Sequence, residues 1–127
     1  MKRLAGYWKN KEYSRIYETL KQVEYGYTID EFQRDFQKIE SSNKFCYLVY
    51  LNSVECSVKN VLLLCEFLIY TDTFFHDIYP VVGYYLRHTV EKFPDNPQLL
   101  EWICLTFEGN PDSPFTLEEI EVFRKHL

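Results

Sequence analysis

Between residues 44 and 70 the chain loses its polar face, and this run constrains the fold more than any other feature. Phe45, Leu48, Val49 and Leu51 lead to a polar patch at Asn52-Ser53, and a second apolar run extends over residues 58–69. An apolar run this long fits one helix buried on most sides, or two such helices joined near residues 52–56. The β-branched content of residues 47–51 leaves a short strand there as the alternative. In either case Leu63, Leu64, Phe67 and Leu68 are expected in the core, and the remaining segments must supply its cover. A chain of 127 residues can enclose one continuous core without metal or disulfide, so residues 1–127 are expected to form a single α-helical domain.

The covering segments carry the helical period. Tyr13, Ile16, Tyr17, Leu20 and Val23 recur at three- and four-residue steps, with Gly26 placed as a C-cap. Thr28-Ile29-Asp30-Glu31 has the pattern of a capping box ahead of a stripe of Ile29, Phe32, Phe36 and Ile39. Ser41-Ser42-Asn43 breaks that stripe and offers the next cap, and Thr71-Asp72-Thr73 offers another. Pro80 either opens a helix or kinks a longer one, and the stripe beyond it is Val81, Tyr84, Tyr85 and then His88 or Thr89. In Pro94-Asp95-Asn96-Pro97, Asn96 reads as N-cap and Pro97 as the first helical residue, before Leu99, Leu100, Ile103, Leu105 and Phe107. A second capping box, Thr116-Leu117-Glu118-Glu119, opens a final helix whose apolar face is Leu117, Ile120, Val122 or Phe123, and Leu127. The expected fold is all-α, with six to seven antiparallel helices in a bundle or a short HEAT-like stack of helix pairs.

Composition removes several function classes. A net charge of −5 argues against direct nucleic-acid binding, and the basic N-terminal side chains (Lys2, Arg3, Lys9, Lys11, Arg15, Lys21) read as a solvated helix face. Cys46, Cys56, Cys65 and Cys104 form no CxxC pair, and three of them sit in apolar runs, as reduced thiols of a cytoplasmic protein would. No apolar stretch near the N-terminus resembles a signal peptide, and the greasiest run, residues 61–70, is about half a membrane span. His76-Asp77 and His88 are the candidates for a metal or acid/base pair, but twelve residues along a straight helix turn them about 120° apart. No carboxylate or cysteine supplies the remaining zinc spacing. There is no GxSxG, no cysteine in an electropositive setting and no glycine-rich loop, so neither catalysis nor a cofactor is expected.

Charge polarity is what remains. Residues 95–122 hold seven carboxylates and no Lys or Arg, whereas residues 1–27 hold six basic side chains against three acidic ones. Uncompensated acid costs self-repulsion unless a partner uses the field, although surface carboxylates also keep small proteins soluble. Asp72 and Asp77 flank the break before Pro80, while Glu108, Asp112, Glu118 and Glu119 crowd the last one. These six are the expected contacting charges, with Tyr84 and Tyr85 as aromatic anchors.

In size, reduced cysteines, lack of catalytic residues and an acidic Tyr/Phe-rich C-terminal half, the chain resembles the small immunity proteins of bacterial contact-dependent growth inhibition and related polymorphic-toxin systems. Residues 107–112 (Phe107-Glu108-Gly109-Asn110-Pro111-Asp112) and 116–119 (Thr116-Leu117-Glu118-Glu119) are its most typical stretches. The resemblance implies a cytoplasmic, monomeric or weakly dimeric protein that binds a cognate basic toxin domain, often a nuclease such as an RNase, and occludes its active site. It assigns no binding residue. A helical adaptor that holds a peptide or helix, or forms a homodimer, is the competing class, and an enzyme using His76 and Asp77 is a third.

Overall fold

The segments with helical period are helices, and they are more numerous than the sequence suggests. The computed structural model describes residues 2–26, 28–71 and 77–127, residue 2 by its backbone alone. Among the described residues there are eight α-helices and no strand, which corrects the expected six to seven and removes the strand alternative at residues 47–51. Contacts group the chain into two compact units, Met1–Phe74 and Phe75–Leu127.

The first unit contains α1 (Lys2–Lys9), α2 (Tyr13–Gln22), α3 (Ile29–Asp35), α4 (Ser41–Val54) and α5 (Val58–Tyr70). α1 is the additional helix. It anchors itself through Leu4 and Trp8, one turn apart and both buried, too few apolar positions to show a period among so many charges. Both α1 and α2 end in a Schellman motif. Lys11 N–H donates to Trp8 O and Glu12 N–H to Tyr7 O; Glu24 N–H donates to Lys21 O and Tyr25 N–H to Leu20 O. The left-handed residue of each motif is charged, Lys11 (φ 55°) and Glu24 (φ 51°), so α2 stops two residues earlier than a cap at Gly26 would require.

α5 carries the central apolar run and packs on α4 and α3. Nine of its side chains are buried, including all four expected core residues. The turn between α4 and α5 is held by amides: Asn60 donates to Glu55 O (2.9 Å), and Asn52 donates to Leu48 O (2.9 Å) and Asn60 O (3.1 Å). Trp8, Phe36, Tyr47 and Phe32 form a buried aromatic cluster, with Trp8–Tyr47 edge-on at 5.2 Å and Phe32 edge-on to Phe67 at 6.5 Å. Lys44 is buried beside it, donating to Gln33 Oε1 at 2.7 Å, and desolvation lowers its pKa. Thr28 caps α3 as expected, accepting from Glu31 N–H, but its own N–H donates to Gly26 O. Ser41-Ser42-Asn43 does not cap α4. Glu40 is the N-cap, without a side-chain bond, and Asn43 instead donates to Trp8 O (2.9 Å) and accepts from Tyr13 Oη (2.6 Å).

The second unit contains α6 (Tyr79–Lys92), α7 (Pro97–Phe107) and α8 (Leu117–Lys125). Pro80 opens α6, Asn96 caps α7 by accepting from Leu99 N–H, and the Thr116–Glu119 box is complete. Val82, Leu86, Leu99, Leu100, Ile103, Phe107, Phe115 and Ile120 are buried. Along α8, Ile120 is buried and Phe123 half-buried, whereas Leu117 and Val122, and Leu127 beyond the helix end, are exposed, so its apolar face is narrower than the sequence suggests.

All four cysteines are free; Cys65 and Cys104 are buried, but Cys46 and Cys56 are exposed, so lying in an apolar run did not bury Cys46. Burial pushes both interior thiols above the usual range. Alkylation of the native protein is expected to modify Cys46 and Cys56 quickly and the other two only after denaturation. Rapid modification of all four would show that α5 and α7 open readily.

Candidate functional site

In the second unit the start of α6 and the α7–α8 connection enclose a cleft of about 820 Å³. Its existence depends on a close backbone approach. Gly83 faces Pro114 so tightly that a Cβ at residue 83 would lie 2.6 Å from Pro114 Cβ. One turn on, Arg87 fastens the same connection. Its guanidinium donates to Pro114 O (2.6 Å) and to both carboxylate oxygens of Glu119, and it lies 4.7 Å from the centroid of the Phe115 ring. Phe115 is itself buried against Phe107 and Phe123.

The expected acidic residues divide into two groups. Glu119 is bound to Arg87 and caps α8, and Glu108 pairs with Arg124 at 2.6 Å. The compensation missing from residues 95–122 therefore arrives from either side of that window. Asp77 and Asp112 both line the cleft, are exposed, and have no ion pair among the described residues. Tyr84, 59% exposed, lines it beside them, its ring 5.4 Å from Tyr85 and 4.3 Å from His88. Tyr85 is half-buried and does not line the cleft, and Glu118 is exposed in the first turn of α8. Asp72 and His76 lie outside the described residues.

Sequence reasoning missed Arg87 and the Gly83–Pro114 contact. A lone glycine inside a helical stripe was the available signal for Gly83, because it weakens a helix unless a close approach requires it. Arg87 had no such mark: its partners lie 27 and 32 positions away.

The hydrogen bonds from Arg87, helped by the capping bond, hold the Glu119 carboxyl at about 2, below its ordinary 4.5. A depressed carboxyl pKa stabilises the fold above the ordinary value, and that contribution disappears as pH falls through the folded one. Wild-type stability should therefore drop between pH 4.5 and about 2 partly through this group. Glu119→Gln should remove part of the drop and cost on the order of 1 kcal/mol at neutral pH. Thermal unfolding against pH checks this; parallel curves for both proteins would mean that the pair contributes nothing.

Among the described residues no group of three or more His, Cys, Asp or Glu could hold a metal ion, and no helix is long and apolar enough to cross a membrane. No protein-family model matches the sequence, and no curated protein or solved structure matches it either.

Proposed function

We propose that this chain is a small protein-binding domain that presents the cleft of its second unit to a cationic surface. By its resemblance, it acts as a cytoplasmic immunity protein against a basic toxin, a nuclease in the first instance. One observation carries the reading. Exposed Asp77 and Asp112 share a cleft with exposed Tyr84, while Arg87 and Arg124 are already engaged by Glu119 and Glu108. A Lys or Arg from a partner would find two carboxylates and an aromatic face there, the combination that anchors interfaces. A nuclease cleft attracts phosphate and is positively charged, so carboxylates can occupy the same field. Within each unit the helices are proposed to form antiparallel pairs, since the connections between them are short.

The test is binding to the protein encoded beside this gene, which on this reading carries a basic toxin domain. Asp77→Lys/Asp112→Lys should weaken binding by about 100-fold or more, the loss of two close charge pairs, and abolish protection. Glu118→Lys should change mainly the association rate, which should also slow as salt rises. Circular dichroism establishes that the variants are folded. Normal binding by the folded double variant would place the interface elsewhere.

A further inference from the structure

Lys44 is the one buried lysine among the described residues, 4% exposed, and the acidic cleft makes no use of it. It stands in the first turn of α4, where the positive end of the helix dipole disfavours a cation. Its ammonium has three N–H donors, yet among the described residues Gln33 Oε1 is their one acceptor, at 2.7 Å. Among those residues no carboxylate lies within ion-pair distance, and the other compensation is the Phe67 ring, 5.9 Å from Nζ. A desolvated ammonium is costly unless a charge of opposite sign is paired with it. The folded chain thus carries a cation that water would stabilise better than its surroundings do.

The acceptor belongs to α3, and α3 is the weakest candidate in the unit for holding such a charge down. It is seven residues long, too short to persist without tertiary support. It packs on α5 and buries Phe32, with Phe36 buried at its C-cap. The Phe32 ring stacks on Tyr47, 6.3 Å between centroids, and meets Phe67 edge-on at 6.5 Å. Gln33 completes the attachment. It accepts from Lys44 and donates from Nε2 to Thr71 Oγ1 at 2.9 Å, tying α3 to the first turn of α4 and to the C-cap of α5. Burial of two phenylalanines therefore closes α3, and the desolvated ammonium beside it opposes closure.

We propose that α3 is a strap loaded by Lys44: it opens as a unit while α4 and α5 stay folded, hydrating the ammonium and uncovering the Tyr47 and Phe67 rings. Closed and open forms are two states of one short element, and Lys44 sets the balance between them.

Native-state hydrogen exchange of the full chain tests this. The α3 reporters are the amides of Phe32 and Phe36, bonded to Thr28 O and Phe32 O, and those of Leu64 and Leu68 report on α5. In the wild type the α3 amides should exchange at least about tenfold faster than those of α5 and depend less on added urea, as local opening does. Lys44→Met keeps the apolar stem and removes the charge. Because the charge burdens the closed form alone, both sets should slow by the same factor, about tenfold or more. Slowing confined to α5 would mean that Lys44 stays buried when α3 opens, and would overturn the proposal. Unchanged or faster exchange in α3 would also overturn it, since the ammonium would then be a pin rather than a load. Wild-type α3 amides that exchange only together with α5 would refute the strap itself. Gln33→Leu/Lys44→Met, which makes both partners apolar, carries the same expectations if the single variant does not fold.

Discussion

Leu64→Ala is expected to destabilise the protein by about 2–5 kcal/mol, the range for truncating a fully buried leucine. Leu64 is 0% exposed on α5, where Leu63, Cys65, Phe67 and Leu68 are also buried. Protein interiors are close-packed, so the surroundings of a deleted buried side chain relax only partially. The loss therefore combines the transfer term with a cavity that closes only in part. Urea unfolding followed by far-UV circular dichroism measures it, and an unchanged slope would show that the denatured state is unaffected. A loss below about 0.5 kcal/mol, the size of an ordinary surface substitution, would mean that α5 is not core.

Gly83→Ala should cost about 1–3 kcal/mol, as overpacking does, although alanine is the better helix former by about 1 kcal/mol. The two effects have opposite signs, and distance decides between them. The new Cβ would lie 2.6 Å from Pro114 Cβ, and Pro114 cannot swing away as the end of a flexible side chain would. Its carbonyl is also held by Arg87. Removing the opposing Cβ is the control: Pro114→Gly in the Gly83→Ala background should cost less than the two single effects added together. A stabilising Gly83→Ala would show that the connection yields freely, and the cleft containing Asp77 and Asp112 would then not be a fixed shape.

Much of the secondary structure was legible because its causes are local. The caps at Thr28, Asn96 and Thr116 bond backbone within three residues, and Pro80 and Pro97 act through their own ring geometry. The burial of Leu63, Leu64, Phe67 and Leu68 followed from an apolar run too long to leave wet. α1 was not legible, since two apolar side chains among basic neighbours make no period. Gly26 misled because a glycine permits the left-handed turn without requiring it, and Glu24 took that position.

The acidic site was legible only in outline. Sequence alone determined that residues 95–122 carry seven carboxylates and no cation, because charge is a property of residue type. Which of those carboxylates remain unpaired was decided by the tertiary structure. Arg87 reaches Glu119 across 32 positions and Arg124 reaches Glu108 across 16, while Asp77 and Asp112, 35 apart, come to line one cleft with Tyr84. Helix period, caps and burial arise within a few residues or from bulk hydrophobicity. Pairing of charge depends on where the packed helices place their ends, and no local pattern encodes that.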